Sequence, residues 1–454
     1  MRSAVSAQSA GADLSFCAPG KSGRITAPDD IWQHIASFIA REDMNPLLEV
    51  NQALYNFVMD AKYREVIWAK VDGPLIRSLV RLSNPSVARR VRRLDVRAWF
   101  IEYLNNRPEA FVLVLKSRIN VFRSSKPNKP LRLNTASSAS EIFGAMIAAV
   151  ELMTSVTEYI FEWRDLSPSN DTLRFLGSAR AAFGLSLRKL TLRAQLDNFP
   201  HLVSTVDFDS LEDLVLHFDH DAWDSTKEKD LILLRDGIAP FINHFRHSIG
   251  NLSISSSSKM DLSSLFHFLA TFPKLGNLFL CLSFDTWHLS DPSGLVKILK
   301  LHNRALQKLT FAHSYASSTS KDVGKRGWIH LSSLILSEPD SLCGLKYLRM
   351  PSLASFSDTL LIFGRSKNSL TELVLVDYFL TESEVVELVA MFSHRPFDLG
   401  LKRLHIGITS PTPTLFDILA NRVPGLSILN LVLPSGVAGE ATLVFLDCLA
   451  SSYV

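Results

Sequence analysis

Four groups of residues in this sequence have types and spacings that could do chemistry. Pro19-Gly20-Lys21-Ser22-Gly23 has the Lys-Ser end of a phosphate-binding loop, in which backbone amides and a lysine cradle phosphates. The full motif needs a glycine at position 15, where Ser15 stands, and helix-start signals wait until about Pro28. A flexible tail over 1–23 is the expectation instead. His217, His220 and Asp221 lie together in HFDHD, and His244 and His247 sit at helical spacing. Zinc wants four tetrahedral donors, or three plus water, and nothing nearby in sequence completes either set. No metal is expected.

Arg89, Arg90, Arg92 and Arg93 make the densest basic run, but Val87, Val91, Leu94 and Val96 thread it. It lacks the aromatic interleaving of single-strand binders, so it reads as a solvated face around a packed element. The sequence contains no G-x-S-x-G elbow, no H-E-x-x-H pair and no dinucleotide fingerprint. No catalytic residue and no cofactor is assigned, and a non-catalytic binding protein is expected.

Composition agrees with binding rather than with a charged ligand. The chain has 454 residues, 47% of them apolar, and 48 basic against 45 acidic residues leave a formal charge of only +3. That balance implies neither nucleic acid nor a membrane surface. Cys17, Cys281, Cys343 and Cys448 lie far apart, which suits reduced thiols. The first 20 residues hold no signal-type apolar run, and no apolar stretch of about 20 residues suits a bilayer. A soluble cytoplasmic or nuclear protein is expected.

The elements that must carry any function fall into two kinds. From Ile25 the chain acquires helix punctuation: Thr26 as N-cap, Pro28 in the first turn, Asp29 and Asp30 at the helix start. Ile31, Ile35, Phe38 and Ile39 then share one helical face. Asp43 and Pro46 open a second helical stretch with Leu47, Leu48, Val50, Leu54, Phe57 and Val58, and Trp68 closes the segment.

In order and spacing, Pro28, Ile31, Ile35, Phe38, Asp43, Leu47, Leu48, Val50 and Trp68 resemble the F-box family, whose motif opens on Leu-Pro and closes near Leu-Trp. Ala27, Met44 and Ile67 stand where that family usually has Leu. With VARRVRRLDV after it, the segment is similar to F-box proteins of mushroom-forming fungi. The resemblance implies that residues 24–69 dock on a Skp-family adaptor, and through it a cullin, by Pro28, Ile31, Ile35, Phe38, Leu47, Leu48, Val50 and Trp68. Substrate selection for a ubiquitin ligase would follow. The alternative is a ligase-independent scaffold whose N-terminal helices only cap a solenoid.

Beyond this module one phrase, L-x-x-L-x-L, recurs. It begins at Leu187, Leu211, Ile249, Leu275, Leu306, Leu345, Leu370, Leu401 and Leu426, at intervals of 24 to 39 residues. Weaker copies begin at Val91 and Val156, while LSSLIL at Leu331 is expected to be helical. The intervals hold helix-like stretches such as SSLFHFLATF, ESEVVELVAMF and TLFDILANR. Short strands alternating with helices at this period predict an α/β fold, an irregular leucine-rich-repeat solenoid over 151–454. The F-box resemblance implies that these repeats bind a protein substrate. No regular Asn or Cys follows the strands. Residues 70–150 are expected as a helical linker region with a flexible loop near 122–141, and SYASSTSKDVGKRG and HDAWDSTKEKD as surface loops.

Overall fold

A computed structural model describes residues 28–97, 139–163, 170–204, 208, 211–219, 227–257, 260–313, 321–351, 355–393, 400–434 and 442–447. The expected tail at 1–23, the phosphate-loop-like PGKSG and most of the 122–141 loop lie outside these residues. So do His220 and Asp221. The chain divides into two compact units, one ending at Lys62 and one formed by Tyr63–Val454.

The first unit contains helix α1 (Asp29–Ser37), a 3-10 stretch (Arg41–Glu49) and helix α2 (Gln52–Tyr63). Asp29 and Asp30 occupy the first turn of α1, where carboxylates favour the exposed backbone amides. Asn51 caps α2, its Oδ1 accepting from the Leu54 amide at 2.8 Å. Pro46 falls inside the 3-10 stretch, where its missing amide and fixed φ suit a short irregular turn.

The second unit is built on one sheet whose strand order follows the sequence. Its strands are β1 (Glu65–Trp68), β2 (Arg93–Arg97), β3 (Glu158–Trp163), β4 (Lys189–Gln195), β5 (Asp213–Asp219) and β6 (Asn251–Ser256). There follow β7 (Asn277–Leu282), β8 (Lys308–His313), β9 (Tyr347–Arg349), β10 (Glu372–Leu380), β11 (Arg403–Ile408), β12 (Ile428–Leu433) and β13 (Thr442–Asp447). β1 to β12 run parallel, and β13 joins β12 antiparallel. A helical segment crosses over between each successive pair of parallel strands. Since such crossovers are right-handed, the helices cover one face of the sheet and leave the other open.

The recurring phrase sets the register. Leu94, Tyr159, Leu190, Leu214, Leu252, Leu278, Leu309, Leu348, Leu373, Leu404 and Leu429 pair strand to strand in one unbroken row. All are buried, as are the residues two places on, from Val96 to Leu431. A one-residue slip at any strand would turn this row to water, so burial pins the alignment.

The sheet begins earlier than the expected solenoid start at 151. Tyr63, Val66 and Trp68 form one more copy of the phrase, with Val66 opposite Leu94 and Trp68 opposite Val96. The expected 70–150 linker thus supplies β2 and the helices Gly73–Leu82 and Ala139–Glu151 to the same unit. LSSLIL lies within the helix Lys321–Ser337, as its spacing predicts. That helix also takes up the end of the loop expected over SYASSTSKDVGKRG. A Cβ on Gly327 would run into the Phe284 carbonyl oxygen, so only glycine permits the helix to pack this closely. Lys227–Ile232 likewise makes the end of HDAWDSTKEKD helical.

Candidate functional site

Two surfaces offer binding chemistry, one in each unit. In the first unit the apolar face predicted for α1 is left in water: Ile31, Ile35 and Phe38 are 47%, 45% and 79% exposed, and Val50 is 57% exposed. Pro28 is also exposed, and Leu47 and Leu48 are half-buried. Phe38 makes an edge-on contact with His34, its ring centre 5.0 Å away. Seven of the eight residues assigned to adaptor docking therefore lie in this unit, wholly or partly open to solvent.

Trp68 is the exception and a correction. It belongs to β1, is 1% exposed, and packs beside Phe175 with ring centres 6.3 Å apart. An indole enclosed in the sheet core cannot touch a partner. Its place at the end of the motif is equally the last apolar position of a strand phrase, and burial decides between the two.

The second surface is the open face of the sheet, lined by the variable positions of the phrase. Over β1 to β5 these residues neutralise one another. Along one row Glu65, Arg93, Glu158, Lys189 and Asp213 alternate in sign. Arg93 Nε lies 3.5 Å from Glu65 and 3.9 Å from Glu158, and Lys189 Nζ lies 2.9 Å from Glu158. Asp213 then accepts from Asn251, which in turn accepts from Asn277. Opposite charges directly across a strand pair stabilise it by a few tenths of a kcal/mol to about 1 kcal/mol.

A second row repeats the device. Arg97 Nε is 3.8 Å from Glu162, and Arg193 Nη1 is 3.6 Å from the same carboxylate. Arg193 also forks onto Asp219, with hydrogen bonds of 2.9 and 3.1 Å. His217 Nε2 stands 3.0 Å from Asp219, and its Nδ1 lies 2.5 Å from the Ser255 hydroxyl. Burial alone would raise the Asp219 pKa, but His217 and Arg193 outweigh it and bring it down to about 2. Asp95 goes the other way, raised by burial that the charges of Arg97 and Arg93 offset only in part.

These contacts give the sequence candidates structural roles. His217 is a member of the charge network, and among the described residues no group of three His, Cys, Asp or Glu could hold a metal. Arg93 belongs to the first row, Arg92 Nη1 donates to the Ser155 carbonyl at 3.1 Å, and Arg90 Nε donates to the Ser86 carbonyl at 3.2 Å. The buried His302, unremarked in the sequence, stitches two crossovers together. Its Nε2 accepts from the Phe272 amide at 2.8 Å while Nδ1 donates to the Ile298 carbonyl at 2.7 Å.

Over β8 to β11 the face changes character. Here the variable positions are Lys308, Tyr347, Glu372 and Arg403 in one row and Thr310, Arg349, Val374 and His405 in the next. Lys346 and Lys402 precede the strands at the same edge, aligned through backbone bonds by way of Thr371. Burial and the charge of Arg349 hold His405 below the ordinary histidine range. These residues are the variable letters of the phrase, in which no single repeat shows a pattern. Stacking QK-T, KY-R, TE-V and KR-H in register would have revealed the basic excess.

No helix among the described residues is long and apolar enough to cross a membrane. No family model and no curated protein matches the chain. Among solved structures, it is similar to a chain in a crystal structure of the Rad7 and Elc1 complex in yeast, at 10% identity and a TM-score of 0.41, covering 90% of each chain.

Proposed function

We propose that this chain is the substrate-recognition subunit of a Skp-cullin-F-box type ubiquitin ligase, itself non-catalytic and cytoplasmic or nuclear. Residues 28–62 dock on the Skp-family adaptor, and the repeats bind a protein substrate. The observation that carries the proposal is the uncovered apolar set Ile31, Ile35, Phe38 and Val50, at positions where the sequence resembles the F-box motif. Covering each such side chain is worth about 1.5–3 kcal/mol gross, much of it offset by lost freedom, so two or three should dominate the contact.

The test is co-purification with a recombinant Skp-family adaptor. Wild-type chain should retain the adaptor, and Ile35→Asp with Phe38→Asp should lose it at least about tenfold, with the thermal melt of the chain unchanged. Adaptor retained by the double variant at wild-type yield would overturn the docking assignment. Stable isolation of the wild-type chain with no affinity for the adaptor would favour the ligase-independent scaffold.

A further inference from the structure

The open face of the sheet is electrically divided. On β1 to β5 and the strand starts beside them, seven carboxylates (Glu65, Asp95, Glu158, Glu162, Glu212, Asp213 and Asp219) balance seven cations, Arg64, Arg92, Arg93, Arg97, Arg188, Lys189 and Arg193. Of these cations Arg93, Arg97, Arg188, Lys189 and Arg193 each have a carboxylate within 4.0 Å. On β8 to β11 and the strand starts beside them, Lys308, Lys346, Arg349, Lys402 and Arg403 face Glu372 alone. Among the described residues only Arg403 of these five is ion-paired, at 3.6 Å from Glu372. Arg349 is half-buried, and its Nε has no hydrogen-bond partner. A guanidinium nitrogen withdrawn from water with no acceptor is costly to keep, and a carboxylate is the best complement of the group that carries it.

We infer that the face over β8 to β11 binds an acidic segment of a protein partner, with Arg349 seating one carboxylate and Lys308, Lys346 and Lys402 holding others around it. The charge of Arg349 reaches two strands to either side, acting on Cys281 in β7 and on His405 in β11. From β8 to β11 the patch spans three strand spacings, about 14 Å, the length of about four extended residues. Tyr347 lies within it, and the exposed Phe279 flanks it on β7, so the ligand meets aromatic surface beside the charges. Over β1 to β5 the charges cancel, so a polyanion running on past the patch meets no excess of cations there. That limit favours a short acidic stretch of polypeptide over nucleic acid, whose charge does not stop after four units.

The inference names the chemistry of the substrate in the function proposed above, but it concerns the chain alone and does not depend on adaptor docking. The experiment is fluorescence anisotropy on the purified full chain with three labelled probes: a Glu-rich peptide, a Lys-rich peptide of equal length, and oligo-dT. The acidic peptide should bind, and its affinity should weaken as salt is raised. Lys346→Glu with Lys402→Glu, both at exposed positions, should lower affinity at least about tenfold, and Arg349→Gln should lower it with the melt preserved. Overturning results are equal binding of the two peptides, no binding of the acidic peptide at about 1 mM, an affinity untouched by the charge reversals, or oligo-dT binding more tightly than the acidic peptide.

Discussion

The helices of residues 28–62 and the crossover helices of the Tyr63–Val454 unit carry apolar residues at the same spacing but differ in what covers them. In Ser293–Leu301 the residues Leu295, Ile298 and Leu299 are all buried. In α1 and at its C-terminal end the comparable Ile31, Ile35 and Phe38 are all exposed. Periodicity shows that a helix has an apolar face, but only tertiary structure shows whether the chain covers that face itself. Where the chain leaves it open, another molecule can cover it.

Three substitutions test that contrast. Trp68→Ala should be the most damaging, since it empties a core position beside Phe175; a loss of about 3–5 kcal/mol in urea unfolding is expected. If Trp68→Ala instead left stability intact and weakened a partner complex, Trp68 would return to the docking face. Asp219→Asn comes next and tests whether the charge network on the open face contributes to folding. Its folded pKa of about 2 lies below the ordinary 3.8. The stabilisation it gives is therefore complete above about pH 4 and lost as pH falls towards 2, amounting to about 1–2 kcal/mol. Wild type and Asp219→Asn should differ by that amount at neutral pH and converge in acid melts. Phe38→Ser should have the smallest effect, within about 0.5 kcal/mol, because the ring it removes is already in water. A large destabilisation there would mean that the first unit does cover its own face.

Much of the second unit was legible because burial and register share one cause. Every phrase from Leu187 to Leu426 contributes a strand, and the helices at Ser263–Phe268, Glu382–Ala390 and Pro413–Arg422 fall where their apolar spacing put them. The first strand was not legible, because EVIW satisfies both the end of a helical motif and a β phrase, and four residues hold too little periodicity to separate them. The helix reaching back to Lys321 was hidden by a Ser, Gly and Lys composition that reads as loop, although Gly327 is there for close packing. The residues proposed for docking were legible as apolar positions and, apart from Trp68, lie in one unit. The charged rows were not, because the ion-pair partners on neighbouring strands stand about 26 to 65 residues apart in sequence and become neighbours only once the strands align.

The consecutive strand order has a further consequence. No strand waits for a distant segment to arrive, since each adds to the one completed just before it. Such a chain can assemble by accretion, with loop-closure costs confined to single repeats, and can fray from its last repeats inward while earlier ones keep all but one of their neighbours. Damage in one repeat then travels like a break in a queue, felt by those beside it and fading with distance along the row.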